Sequence, residues 1–211
     1  MDIVRAIRKL CEGENGFRDL FNKSKTYERL CALVEDETDA ALFAKLFYGK
    51  ARPALLELIN DAYSYKEHAA KVSKLLTEDG LDIFAARRAL TAFYRAFGFP
   101  GFRDMNEDKL GTVTDDLGGG FTVEYKGEVE NGKEYGVGTR TCYTNGKWCR
   151  YDECVWIDGV MNGYLYAKDI EFGFFETKKI GFVVNDREVG RTKCFSGEDE
   201  YYDDGTKFKA D

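Results

Sequence analysis

Along the first hundred residues, apolar side chains recur every three or four positions: Leu42, Phe43, Leu46 and Phe47, then Leu55, Leu56 and Ile59, then Val72, Leu75 and Leu76. That period gathers them into a stripe along an α-helix. Polar start signals precede the runs, namely Asp36-Glu37-Thr38, Ser64 with Glu67 as a capping box, and Asp82. The final run puts Ile83, Ala86, Leu90, Phe93, Tyr94 and Phe97 on one side and leaves Arg87, Arg88 and Arg95 for solvent. Gly98 closes it and Pro100 prevents its resumption. The spacing predicts four or five short helices over residues 1–100.

From Phe121 the period drops to two. In "FTVEYKGEV", Phe121, Val123, Tyr125, Gly127 and Val129 share one face, and Thr122, Glu124, Lys126 and Glu128 the other, as in a strand with one buried side. The stretch between, residues 101–120, has few apolar residues and five glycines and reads as a linker or a degenerate first strand. The fold class is therefore α+β: an all-helical N-terminal domain (1–100), a linker (101–120) and an antiparallel β-meander (121–211) of six or seven strands.

The second half also repeats itself every 27 residues. The columns are Gly127/Cys154/Gly181, Val129/Trp156/Val183, Asn131/Asp158/Asn185, Gly132/Gly159/Asp186 and Gly136/Gly163/Gly190, with an aromatic column Phe121/Trp148/Phe175/Tyr202. Asn-Gly and Asp-Gly tolerate positive φ at both centres of a type I′ turn, so each unit should contain a tight hairpin. The glycine four residues later sits in the returning strand, where it permits a bulge or the close approach of an aromatic ring. Helices beside such an array either form an independent domain or cap its first open edge.

"YKGEVENGKEYGVGT" from Tyr125 resembles a MORN repeat, matching it at Tyr125, Gly127, Gly132, Gly136 and Gly138. The second unit keeps Gly159 and Gly163 and the third keeps Gly181 and Gly190. The resemblance covers roughly residues 120–205 and implies a meander of hairpins that binds or scaffolds other molecules, with a membrane-lipid role among the family's uses.

Charge changes that picture. The whole chain carries −7, but residues 1–100 are near balance at +1 while residues 101–211 carry −8. An acidic surface repels phosphate and anionic lipid, which argues against nucleic acid and makes a membrane partner unlikely. The opening residues mix charge into every turn and no stretch approaches the about 20 apolar residues of a membrane span, so the expected location is cytoplasmic. Six cysteines in that compartment are expected as free thiols, and their spacing with a single histidine does not fit zinc.

Catalytic chemistry finds no constellation in the sequence. His68 has no second histidine or nucleophile motif beside it, and Cys149 and Cys154, the cysteines a thiol enzyme would need, have no base. Carboxylate runs such as Glu198-Asp199-Glu200 read as solvated loops. "DMNEDKLGTVTD" (104–115) lacks the glycine and bidentate Glu of a calcium loop, and "DLGGGFT" lacks the Lys-Ser/Thr of a phosphate loop. The expectation is a non-enzymatic interaction or scaffolding protein without metal or cofactor. Its acidic, aromatic-bearing sheet would bind a protein partner with a basic surface, self-association through open edges being possible. The expected anchors are Tyr125, Trp148, Trp156 and Phe175, with Glu128, Glu130, Glu171 and Glu176 as charges. The alternative is a small acidic immunity or inhibitor protein that neutralises an enzyme with a basic site.

Overall fold

The structure, a computed structural model, describes residues 1–12, 15–171 and 175–209; the side chains of residues 23–25 and of Glu171 lie outside the described residues. Six α-helices come first: α1 (Ile3–Leu10), α2 (Lys23–Leu33), α3 (Glu37–Tyr48), α4 (Arg52–Asn60), α5 (Tyr65–Glu78) and α6 (Ile83–Ala96). The Asp signals act as read: Asp36 accepts from the Thr38 amide, and Asp82 from the Phe84 and Ala85 amides. The capping box does not form. The Ser64 side chain makes no cap bond, because a 3₁₀ turn, Ala62–Ser64, leads straight into α5.

The sheet is an antiparallel meander of nine strands among the described residues: β1 (Leu110–Gly118), β2 (Phe121–Glu130), β3 (Lys133–Thr144), β4 (Lys147–Ile157), β5 (Val160–Met161), β6 (Gly163–Glu171), β7 (Phe175–Val184), β8 (Arg187–Ser196) and β9 (Asp199–Asp204). β5 is a two-residue return on β4 before the chain runs on into β6. The residues read as a linker therefore contain a strand, paired from Leu110↔Glu128 to Gly118↔Phe121. Only Gly111 and Val113 of this edge strand are half-buried and the rest is exposed, so it carries little apolar alternation, which is why the pattern missed it.

The repeated turns adopt the conformation their residues favour. Asn131 and Gly132 have φ of 54° and 77°, Asp158 and Gly159 54° and 85°, and Asn185 and Asp186 50° and 61°. Both central residues are left-handed in each case, as a type I′ turn requires.

The helices do not cap the first edge of the sheet; they cover one face of it, at the end bearing these turns. A single core joins Phe17, Phe47, Phe93, Phe97 and Phe99 to Tyr135, Val137, Val155, Ile157, Tyr164, Phe182 and Val184 of the strands. Phe208, beyond β9, folds back into it, its backbone clasped by the Asn60 side chain at 2.6 and 3.0 Å. A smaller cluster lies on the opposite sheet face: Tyr125, Cys154, Trp156, Met161, Leu165, Ala167 and Val183.

The glycine column is where the two halves meet. A Cβ on Gly163 would come within 2.5 Å of the Phe97 carbonyl oxygen, and one on Gly190 would overlap the Asn60 carbonyl; at Gly136 it would overlap the Glu128 carboxylate. All three have positive φ. These glycines admit backbone at helix ends and a buried carboxylate, not the aromatic ring expected from the sequence. The aromatic approach occurs one column away, where the Tyr125 ring lies over Gly127 and Gly138.

Candidate interaction surfaces

The end of α6 explains the buried pair Arg8 and Glu128. Gly98, at φ 65°, reverses the chain so that the Phe99 amide donates to the Tyr94 carbonyl at 3.0 Å. The following carbonyls find partners outside the helix. Arg8 donates to the Arg95 and Ala96 oxygens at 3.0 and 3.1 Å, the Tyr164 amide to Phe97 at 2.8 Å, and Arg103 to Gly98 at 2.8 Å. Burial pulls the Arg8 guanidinium pKa down, and Glu128, 3.6 Å away, opposes that shift.

This geometry places the eight residues expected to bind. Tyr125 and Trp156 are fully buried and stack edge to face at 5.1 Å. The Tyr125 hydroxyl lies 2.9 and 3.1 Å from the Glu128 and Tyr135 carbonyl oxygens. Glu128 is buried beneath α1, because β2 bulges between Gly127 and Val129 and turns its carboxylate to Arg8 and the Asn106 amide. Glu130 pairs with Arg5 and Lys109 in the same seam. Tyr125, Trp156 and Glu128 belong to the interior and Glu130 is half-buried in the seam, so the structure does not present these four as open contact residues. Trp148 is half-buried where β4 begins, Phe175 is 55% exposed, and Glu176 is exposed beside Lys178. Glu171 ends β6, and its side chain lies outside the described residues.

A polar cleft of about 290 Å³ opens at the seam, lined by Arg5, Arg8, Arg95, Lys109, Asp104 and Glu128 among others. Its cations are committed to internal partners: Arg8 as above, Arg95 to Asp104 at 2.8 Å, and Arg5 and Lys109 to Glu130. The Tyr135 hydroxyl, Arg5 Nε and Glu130 Oε2 are buried there with no hydrogen-bond partner among the described residues. The cleft is thus a seam whose charges hold helix to sheet.

The thiol and metal readings can be placed too. The six cysteines are free. Burial pushes the Cys154 thiol up to about 12, and the Cys149 thiol lies 3.3 Å from the Cys142 carbonyl oxygen. His68 lies 3.3 Å from Asp61. Among the described residues no group of His, Cys, Asp and Glu is arranged to hold a metal, and no helix is long and apolar enough to cross a membrane. Asp104 of the calcium-like stretch is bound to Arg95, and Gly118, Gly119 and Gly120 form the β1–β2 turn, each with positive φ.

The surface that combines acid with exposed rings lies at the far end of the sheet, on β9. Its sequence is Asp-Glu-Tyr-Tyr-Asp-Asp, every residue is exposed, and Tyr201 and Tyr202 are each 47% accessible. Of the run read as a solvated loop, Glu198 lies in a turn while Asp199 and Glu200 begin a strand, in register with β8 over six pairs from Ser196↔Asp199 to Arg191↔Asp204. Lys193 of β8 steadies it from below: its ammonium sits 4.4 Å from the Tyr63 ring, 5.3 Å from Phe195 and 5.5 Å from Tyr202, and pairs with Glu200 at 2.7 Å. Arg191 lies 4.9 Å from the Tyr202 ring and bonds Asp204 at 3.2 Å. Asp199 and Asp203 have no cation within salt-bridge distance among the described residues. Sequence reasoning passed over this strand, although Tyr202 closes the aromatic column of the repeat. No family model, curated protein or solved structure matches the chain.

Proposed function

We propose that this protein is a non-enzymatic interaction module whose MORN-like meander, braced from one face by the helices, presents an acidic, tyrosine-bearing strand to a basic protein partner. The carrying observation is β9, where four carboxylates flank two exposed tyrosines on a strand fixed by Lys193 and Arg191. Fixed rings offer contact area at low entropic cost, and uncompensated carboxylates steer a basic surface toward them. Trp148, Phe175 and Glu176 extend the reading onto the neighbouring strand ends. Burial of Cys154 and the internal commitment of the seam cations support a binding role over a chemical one.

The test is retention of partners from native lysate on the immobilised full chain, beside an Asp199→Asn/Asp203→Asn variant. A protein held at low salt, released as ionic strength rises and lost with the variant fits the proposal. Retention that ignores both salt and the variant would overturn it.

A further inference from the structure

We infer that the free edge of β9 accepts an extended basic segment of the partner as an additional strand. This rests on the interaction reading above and adds to it a mode of binding and a sequence pattern for the occupant.

The edge itself carries the inference. β9 is the last strand of the sheet and, among the described residues, pairs on one side only, with β8. Alternate residues of such a strand turn their N–H and C=O groups outward, a ready template for another chain. Proteins blunt such edges with charged side chains, lysine above all, or with proline, bulges or a cover, and the carboxylates of β9 act in this way against any strand that is not basic. β9 contains neither lysine nor proline, its register with β8 runs without a shift, and the chain beyond it turns away to bury Phe208. The opposite edge is different: the β1–β2 register shifts between Asp116 and Gly118, and three consecutive glycines follow.

Charge then selects the occupant. A second copy would have to offer β9, with its own carboxylates, or β1, with Asp115 and Asp116, and like charges directly opposite one another are destabilising. A basic strand is attracted instead. Along β9 the order is two acids, two tyrosines, two acids, the same in either direction. The complement is therefore basic-basic-apolar-apolar-basic-basic, parallel or antiparallel, with the apolar pair beside Tyr201 and Tyr202.

The experiment titrates isotopically labelled full-length protein with the capped peptide Lys-Lys-Val-Val-Lys-Lys and with the same peptide N-methylated at alternate residues, which keeps the charge and removes backbone donors. The unmodified peptide should shift the β9 amides and slow their hydrogen exchange. Losing two or three backbone hydrogen bonds should weaken the methylated peptide at least about tenfold. Asp199→Asn/Asp203→Asn should weaken the unmodified peptide while leaving the shift pattern on β9. Equal affinity of the two peptides, or shifts without exchange protection, would overturn strand addition yet leave a charge-driven interaction standing. No β9 response to either peptide, together with salt-insensitive retention in the lysate experiment, would remove both readings.

Discussion

The two ends of the sheet carry similar aromatic and apolar residues and reach opposite fates. Near the Asn131, Asp158 and Asn185 turns, Val155, Ile157, Phe182 and Val184 lie under the helices and Trp156 lies in the cluster on the opposite face, all nearly without exposure. At the other end, Trp148, Phe175, Tyr201 and Tyr202 are half-buried or exposed. Trp148 and Trp156 are eight residues apart on β4. Period two therefore states only that two faces differ; which stretch of a face is dry depends on what is laid against it.

The largest expected effect sharpens this contrast. Trp156→Ala should cost about 3–5 kcal/mol through cavity formation beside Tyr125, whereas Trp148→Ala should cost about 1 kcal/mol or less. Urea midpoints at unchanged slope give both values. Similar losses would mean that the far end is packed as tightly as the near end.

The seam breaks next. Arg8→Met removes two carbonyl partners from α6 and leaves Glu128 buried without its cation, an expected loss of about 3 kcal/mol or more. Adding Glu128→Gln removes the stranded charge and should restore about 1 kcal/mol in a double-mutant cycle. A double variant no better than Arg8→Met alone would locate the whole effect in the helix terminus.

The smallest effect is a gain. Tyr135→Phe deletes a buried hydroxyl that bonds nothing among the described residues, so stability should be unchanged or rise by up to about 1 kcal/mol. A clear loss by thermal or urea unfolding would show that the hydroxyl is bonded in solution.

These contrasts also explain what was legible. Helical class, the Asp caps, the Gly98 stop and the hairpins were readable because each depends on residues a few positions apart. β1 was not, since an edge strand with only Gly111 and Val113 half-buried carries little apolar rhythm. Glu128 and Glu130 were read as surface because they alternate with apolar residues, yet α1 brings Arg5 and Arg8 from the far side of the chain against them, and the segment before β1 adds the Asn106 amide.

By itself, then, the amino-acid order determined the local conformations: where helices start and stop, where left-handed residues turn the chain, and that the unit recurs every 27 residues. Only the tertiary structure decided what the repeated glycines admit, which carboxylates are interior, and which aromatics meet solvent. The physical reason is range. Dihedral preferences and caps act within a turn of chain, whereas desolvation of Arg8 by α6 or of Gly190 by the end of α4 requires segments that the sequence holds far apart.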